Sequence, residues 1–267
     1  MLDTMKSMRG YKLNSLDGEI GKVEEFYFDD HYWTLRYLVA DLGLWLSDRE
    51  VLISPYALAE VNNDKGFIAV NLTKKQIEHC PPLGIHKPVS RQYEESYLEY
   101  YGWPAYWDGP YSWGRYPNLT RGPENRDPDG PPKEQWDSHL RSSRDMTGHS
   151  VQATDGEVGH VADFILDDET WTIRYLVVDT TSWWPGKQVL VSPCWTSKVD
   201  WAESKVFVDL TRAAIQKSPE YNELTRLDRA YEAGVHLHYH QTGYWDEELA
   251  AKEDFLVAPG QKGDLPT

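Results

Sequence analysis

The chain has 267 residues, 40% of them hydrophobic, and a formal net charge of −16. Two domains are the ordinary expectation at this length. Phosphate backbones and anionic membrane surfaces would repel so acidic a chain, so the composition argues against nucleic-acid binding. No apolar run approaches the roughly 18 residues of a membrane-spanning helix, and residues 1–6 lack a signal-peptide pattern. We therefore expect a cytoplasmic protein without direct membrane insertion.

An internal repeat with a constant offset of 138 residues is the most informative feature of the chain. Residues 17–21 recur at 155–159, and residues 33–39 recur at 171–177. The register can be followed from residue 8 to residue 108 of the first copy. A repeating unit of about 100 residues has the size of a single domain and is too long for a solenoid repeat. The chain is therefore predicted to contain two similar globular modules.

Each copy predicts short strands followed by a short helix and then a longer one. The turn signal Asp17-Gly18 precedes the first strand, and Gly21 inside that strand indicates a bend or bulge. Thr73 is a helix-capping residue, as is Ser90 before the longer helix. In the first copy, the predicted strands lie at 19–28, 33–41, 51–53 and 67–72, and the predicted helices end at residues 77 and 101. In the second copy, the equivalent bulge is at Gly159 and the last helix is predicted at 226–240.

The repeat sets the predicted domain boundaries. The first module with its helical and aromatic arm is expected at residues 1–108, and the second at 145–246. Between them, residues 109–144 are rich in Pro and Gly and longer than an ordinary connection, which indicates a linker or a functional arm. Residues 247–267 form an acidic tail.

The runs at 155–159, 164–168, 171–179 and 189–193 resemble the PRC-barrel family, and the first copy matches the pattern equally well. This resemblance implies a mainly β fold with short helices: two small PRC-type β-barrels, each followed by a helix and an aromatic arm. The family includes the cytoplasmic domain of the photosynthetic reaction centre H subunit and the C-terminal domain of a ribosome maturation factor. These domains dock other macromolecules, and the resemblance supplies no catalytic motif.

Repeated charged residues offer possible chemistry in the strands. The pairs Asp29-Asp30 and Asp167-Asp168 could bind a hard cation, but such residues also stabilise turns through their own backbone. We favour the turn interpretation. Arg36, which recurs as Arg174, lies within an apolar strand and is expected to face solvent or to pair with a nearby acid.

His236, His238 and His240 resemble a metal-ligand pattern, because imidazole nitrogens commonly bind zinc. On a helix, only His236 and His240 would share a face. The first copy has Tyr100 and Gly102 opposite His238 and His240, and no Cys or Glu-x-x-His partner lies nearby. We therefore expect neither a metal nor another cofactor.

The aromatic arms are the most unusual segments. Trp and Tyr interleaved with Gly and Pro can form rigid recognition surfaces, since they bring a large contact area at low entropic cost. The alternative is that an arm packs over a barrel edge, in its own chain or in a second chain. The predicted partner-binding residues are Trp103, Tyr106, Trp107, Trp113, Tyr244 and Trp245.

The preferred hypothesis is a non-catalytic assembly or adaptor protein that binds a protein partner and forms homo-oligomers. One alternative is a small-ligand-binding or metal-dependent enzyme that uses the cleft between the barrels. That enzyme would bring together residues that the copies do not share, such as His160, Trp184, Cys194 and His236. The family resemblance adds a third hypothesis, an accessory protein of photosynthetic electron-transfer complexes.

Overall fold

A computed structural model describes residues 1–43, 50–81, 89–106, 111–112, 118–119, 140–180 and 187–246 of the chain. The fold is mainly β with short helices, as the sequence predicts. Fourteen of the described strands form one continuous sheet, and two further strands pair only with each other.

The first half begins with a short strand and a single helical turn, continues through six strands and ends in two helices. Its elements are β1 (Leu2–Thr4), α1 (Met5–Met8), β2 (Lys12–Ser15), β3 (Gly18–Asp29), β4 (Thr34–Asp41), β5 (Glu50–Ile53), β6 (Leu58–Asn62), β7 (Phe67–Val70), α2 (Lys74–Glu78) and α3 (Arg91–Tyr101). The separate two-stranded pair follows, as β8 (Tyr111–Ser112) and β9 (Asn118–Leu119).

The second half has the same order of elements, and each of its strands is displaced by 138 residues from its counterpart. Its elements are β10 (Leu140–Ser142), α4 (Ser143–Met146), β11 (Ser150–Ala153), β12 (Gly156–Asp167), β13 (Thr172–Asp179), β14 (Gln188–Val191), β15 (Thr196–Asp200), β16 (Lys205–Val208), α5 (Arg212–Lys217) and α6 (Arg229–His238).

Within each half, the strand order follows one plan. In the first half, β6, β7, β2, β3, β4 and β5 are successive neighbours, and β2 runs parallel to β7. The second half repeats this order with β15, β16, β11, β12, β13 and β14. The inward faces of these strands form the core of the chain, with Val, Ile, Leu and Phe side chains that are almost fully buried.

The predicted bulges at Gly21 and Gly159 are confirmed. The register between β2 and β3 shifts beside Gly21, and the register between β11 and β12 shifts beside Gly159. Gly21 has a φ of +147°, and a Cβ atom on it would lie 2.1 Å from the Asp41 carbonyl oxygen. Only glycine allows this close approach of two backbones. The bulge therefore lets β3 bend as the sheet curls around the core.

The first strand of each half pairs with the opposite half. β1 adds to β12, with Leu2 opposite Asp167, and β10 adds to β3, with Leu140 opposite Asp29. The two pairings are equivalent under the repeat. Residues 140–144, which the sequence prediction assigned to the linker, form β10 and the start of α4.

The two halves also meet through the turns between β3 and β4 and between β12 and β13. The backbone N–H of Leu35 donates to the Trp171 carbonyl, and that of Ile173 donates to the Trp33 carbonyl, both at 2.7 Å. Both tryptophans have a positive φ, +54° at Trp33 and +57° at Trp171. A non-glycine residue rarely adopts this conformation, so the contact between the halves holds both turns in an unfavourable geometry.

We predict that Gly21→Ala lowers the free energy of unfolding by roughly 2–5 kcal/mol, because the new methyl group overlaps the Asp41 carbonyl at a positive φ. Gly234→Ala in α6 is the control, since a Cβ atom there meets nothing within 4 Å. It is expected to raise stability by about 0.5–1 kcal/mol. Urea unfolding followed by circular dichroism measures both; equal stability of wild type and Gly21→Ala would contradict the assignment of the bulge.

Candidate functional site

The arm helices α3 and α6 attach to their sheets through a buried polar cluster that occurs once in each half. We call this group of side chains the arm cluster. In the first half it consists of Arg36, Tyr37, Arg91, Glu94 and Tyr106. In the second half it consists of the repeat equivalents Arg174, Tyr175, Arg229, Glu232 and Tyr244.

The arginines of β4 and β13 each pair with a nearby acid, which is one of the two arrangements expected from the sequence. The Arg36 Nη2 atom lies 3.1 Å from Asp29 Oδ2, and Arg174 Nη2 lies 2.9 Å from Asp167 Oδ2. Arg36 is only 1% exposed. Burial raises the pKa of Asp167, but the Arg174 guanidinium and the hydrogen bonds it receives outweigh this and hold the pKa below its ordinary value.

The same arginines stack on the tyrosines of the arms. The Arg36 guanidinium carbon lies 4.1 Å from the centre of the Tyr106 ring, and that of Arg174 lies 3.9 Å from the Tyr244 ring. A guanidinium over an aromatic face is attracted by the ring quadrupole, more strongly where water is excluded. Each arm is therefore bound to its sheet by an ion pair extended into a cation–π contact.

A buried glutamate completes each arm cluster. Glu94 Oε1 accepts hydrogen bonds from the hydroxyls of Tyr37 at 3.1 Å and Tyr106 at 2.7 Å. Arg91 lies one helical turn away, with Nη1 3.2 Å from Glu94 Oε2. Burial raises the pKa of Glu94 to about 7 against these stabilising contacts. In the second half, Glu232 accepts from Tyr175 and Tyr244 in the same way.

The predicted partner-binding residues fall into three environments. Tyr106 is only 6% exposed, and Tyr106 and Tyr244 donate their hydroxyls inside the arm clusters. Trp103 and Trp245 are half-buried. Trp107 and Trp113 lie outside the described residues. The binding role remains a prediction, but the tyrosine hydroxyls have a structural task that sequence reasoning missed.

One group of partly exposed aromatic rings covers the outer face of the first arm. We call Tyr56, Tyr100, Tyr101 and Trp103 the aromatic ladder. Trp103 stacks on Tyr101 with ring centres 4.5 Å apart and faces Tyr56 at 5.7 Å, while Tyr100 meets the edge of Tyr101 at 4.8 Å. Tyr56 and Tyr100 remain 41% and 42% exposed.

The second half has no equivalent ladder among its described residues. Cys194, His238 and Gln241 occupy the positions of Tyr56, Tyr100 and Trp103. Tyr239, the repeat equivalent of Tyr101, is buried against Trp195, with ring centres 4.9 Å apart. The two arms thus share their inner polar cluster but differ on their outer faces.

The histidine pattern is divided among different contacts. His236 is buried, with Nε2 3.0 Å from the Tyr175 hydroxyl and Nδ1 2.9 Å from the Thr242 carbonyl. Burial lowers its pKa. His238 Nε2 lies 2.8 Å from the Ala214 carbonyl, and His240 is exposed. In the described ranges, no three His, Cys, Asp or Glu side chains are grouped so as to hold a metal ion.

The first residue of each carboxylate pair stabilises a turn, as the interpretation favoured from the sequence holds. Asp29 Oδ1 accepts from the backbone N–H groups of His31 at 2.9 Å and Tyr32 at 3.1 Å. Asp167 Oδ1 accepts from Glu169 in the same manner. The next residue, Asp30, reaches the other half, where the indole N–H of Trp201 donates to it at 2.7 Å.

Comparisons with known proteins support the fold. Residues 7–77 match the family model described as the PRC-barrel domain. The first half of the chain contains a PRC-barrel domain. An uncharacterized protein of Deinococcus radiodurans is 33% identical over 99 residues, which are 36% of this chain and 34% of that protein. The chain therefore covers about a third of this relative's length. In the described parts of the chain, no helix has the length and apolar character to cross a membrane.

We predict that Glu94 makes the stability of the folded chain fall as pH rises. Its pKa rises from 4.5 to about 7 in the folded chain, so the folded state binds more protons than the unfolded state between these values. The stabilisation is complete below pH 4.5 and is lost as pH rises through 7. Glu94→Gln keeps an acceptor for Tyr37 and Tyr106 and should remove this dependence, which amounts to at most about 3 kcal/mol.

Urea unfolding of both proteins at pH 5.5 and pH 8 measures the effect as a difference between wild type and variant. Taking this difference removes the contribution of the other titrating groups to the pH dependence. The same pH dependence in wild type and Glu94→Gln would show that Glu94 is ionised throughout the range.

Proposed function

We propose that the chain is a tandem PRC-barrel protein in which residues 140–246 form a second PRC-barrel module with its own arm. The equal strand order, the equal glycine bulge and the repeated arm cluster support this proposal. In this proposal, the described chain is a pseudo-symmetric pair of modules. The modules exchange strands, as the subunits of a homodimer can.

The proposed activity is non-catalytic binding of a protein partner. Among the described residues, the serines and the buried glutamates that the repeat preserves are engaged in structural contacts. The hydroxyls of Ser54 and Ser192, which the repeat preserves, accept the backbone N–H groups of Tyr56 and Cys194 at the start of a short helical turn. Glu94 and Glu232 are enclosed by arm tyrosines and arginines, which leaves each carboxylate in the interior of its arm cluster.

The aromatic ladder is the proposed contact surface, and its geometry is the observation that carries the function. Its rings contact one another, with Tyr101 and Trp103 stacked. They are supported by the fully buried Tyr97, whose ring centre lies 5.0 Å from Tyr101 and 6.1 Å from Trp103. The hydroxyl of Tyr100 is also fixed, because it donates to the Gln76 carbonyl at 3.0 Å. Rigid aromatic side chains lose little entropy on binding and are enriched among residues that dominate interface energies.

The enzyme hypothesis requires the unshared residues to converge, and their placement favours the adaptor instead. His160 lies in β12 opposite Asp179, Cys194 lies in an exposed turn, and His236 is enclosed by the second arm. Trp184 lies outside the described residues. The hypothesis of an accessory protein of photosynthetic electron-transfer complexes rests on resemblance alone.

The binding role is tested by affinity purification with quantitative mass spectrometry, comparing wild type with Trp103→Ala. Gln241→Ala is the matched control, because Gln241 has the same repeat position in the second arm. Partners that bind the ladder should be depleted at least about tenfold with Trp103→Ala, since losing a central aromatic residue typically costs 2 kcal/mol or more. They should be retained with Gln241→Ala.

Direct titration of a depleted partner with the three purified proteins then separates binding from folding. Equal partner profiles for wild type and Trp103→Ala would overturn the ladder as the contact surface.

We also propose that the chain forms homo-oligomers in the cytoplasm and that the ladder takes part in the contact. Light scattering at micromolar concentration should then give a mass above that of one chain for the wild type. Trp103→Ala should shift the distribution towards the monomer. A monomeric wild type at every concentration tested would remove self-association from the proposal.

A further inference from the structure

The outer surface of the first arm carries two exposed carboxylates beside the aromatic ladder. Glu95 and Glu99 lie one turn apart on α3, and Glu99 directly precedes the ladder residue Tyr100. The basic residue of this helix, Arg91, pairs with the buried Glu94 at 3.2 Å. Neither Glu95 nor Glu99 forms an ion pair with a residue in the part of the chain that the structure describes.

The positions of these two glutamates are unfavourable for the helix itself. Like charges four residues apart on a helix repel each other. Glu99 also lies in the last turn, where the helix dipole is negative and a basic residue would be stabilising. Helix α3 has no basic residue in its last turn. Natural sequences break such local preferences mainly at functional sites, so the pair Glu95 and Glu99 is a candidate for a binding role.

The neighbouring elements do not neutralise this charge. Helix α2 lies beside the end of α3 and carries two lysines. Lys74 extends over the turn between β2 and β3, because its Nζ atom would lie 3.2 Å from a Cβ atom on Gly18. Lys75 and Glu78 are both exposed and lie one helical turn apart, so their charges balance. Residues 54–62, which include the ladder residue Tyr56, contain no Lys, Arg or His.

The second arm lacks the carboxylates as well as the ladder. Ala233 and Leu237 occupy the positions of Glu95 and Glu99, and both are exposed on α6. The exposed acids and the exposed aromatic rings therefore occur together on the first arm and are replaced together on the second. This joint difference between the copies indicates that the acids and the rings serve one task.

The chain itself shows which cation suits a ring beside a carboxylate. In both arm clusters, an arginine pairs with an aspartate and stacks on a tyrosine. A third case joins the two halves, where Arg141 pairs with Asp30 at 3.0 Å and its guanidinium carbon lies 4.9 Å from the centre of the Trp201 ring. A guanidinium fits such places because it is planar, stacks on aromatic faces and donates in a fork to carboxylates. The surface of the first arm offers the rings and the acids without the arginine.

We propose that the protein partner of the aromatic ladder presents an arginine side chain to this surface. The guanidinium lies over the exposed rings of the ladder and pairs with Glu99, while Glu95 adds to the attraction. The net charge of −16 favours the approach of a basic segment from a distance. This inference rests on the proposed function of the ladder and names the chemistry of its partner.

The direct test is an NMR titration of the full chain at low salt with capped pentapeptides. Their central residue is arginine, lysine or citrulline, the neutral isostere of arginine. The indole N–H signal of Trp103, assigned with Trp103→Phe, reports on the ladder. We expect saturable binding of the arginine peptide, binding of the lysine peptide that is weaker by about threefold or more because an ammonium group does not stack, and no saturable binding of the citrulline peptide. Failure of the arginine peptide to saturate, or equal binding of either other peptide, overturns the proposal.

The double variant Glu95→Gln/Glu99→Gln tests the carboxylates. It should be at least as stable as wild type in urea unfolding, because it removes a repulsion within α3. It should bind the arginine peptide roughly threefold to tenfold more weakly, as expected when two exposed ion pairs are lost. Glu157→Gln/Glu203→Gln, which changes two exposed carboxylates of the second half, is the charge-matched control and should bind like wild type. Unaltered affinity in the Glu95/Glu99 variant overturns the proposal.

Affinity purification with the Glu95→Gln/Glu99→Gln variant separates this inference from the proposed function. Partners that are depleted by this variant and also by Trp103→Ala support the arginine contact when the peptide titration agrees. Partners that are depleted by Trp103→Ala alone leave the ladder as the contact surface but overturn the arginine contact. If Trp103→Ala depletes no partner, the proposed function fails, and the peptide titration alone decides whether the surface binds arginine.

Discussion

The reciprocal pairing of the two halves is the constraint on which the rest of the structure depends. β1 completes the sheet of the second half, and β10 completes the sheet of the first. Between these pairings, Trp33 and Trp171 hold a positive φ, which costs on the order of 1–3 kcal/mol at each residue. The backbone hydrogen bonds that their carbonyls accept and the packing of Phe28 on Phe164, 5.7 Å apart, offset this cost. Neither turn has these contacts without the other half.

The arm clusters follow from the same arrangement. Asp29 and Asp167 end the strands that lead into the paired turns, so their carboxylates face back along the sheet toward Arg36 and Arg174. Each guanidinium then presents its face to an arm tyrosine. A buried ion pair alone contributes little net stability, because desolvation offsets the attraction. The stacking and the bonds from the tyrosine hydroxyls supply additional contacts, which explains why the arms are attached at these points.

Local patterns predicted four of the seven strands β1 to β7 and two of the three α-helices of the first half. Helix α3 begins after Ser90 as its cap predicts, and β3 extends the predicted strand by one residue at each end. The exchange of β1 and β10 was not predictable in this way, since strand pairing across more than a hundred residues leaves no local signal. The repeat extends weakly into these strands, because Leu2 and Leu140 are equivalent and identical. The next pair, Asp3 and Arg141, differs and interrupts the similarity. The arm cluster could have been anticipated from the joint recurrence of Tyr37 with Glu94.

Asp3 and Arg141 are equivalent positions with opposite charges. Such differences mark residues that the shared fold does not require. Both copies keep Trp33, whose turn contacts the other half, and also Arg36 and Glu94, which attach the arm to its sheet. Other positions differ between the copies, and one group of differences lies on the outer face of the arms. The outer face of the first arm is aromatic, whereas Cys194, His238 and Gln241 occupy three of the equivalent positions in the second half. The exchanged strands place Asp3 opposite Leu166 and its repeat equivalent Arg141 opposite Phe28, so the two equivalent pairings carry opposite charges. Two identical halves would carry the same residue at both positions and could not differ in this way.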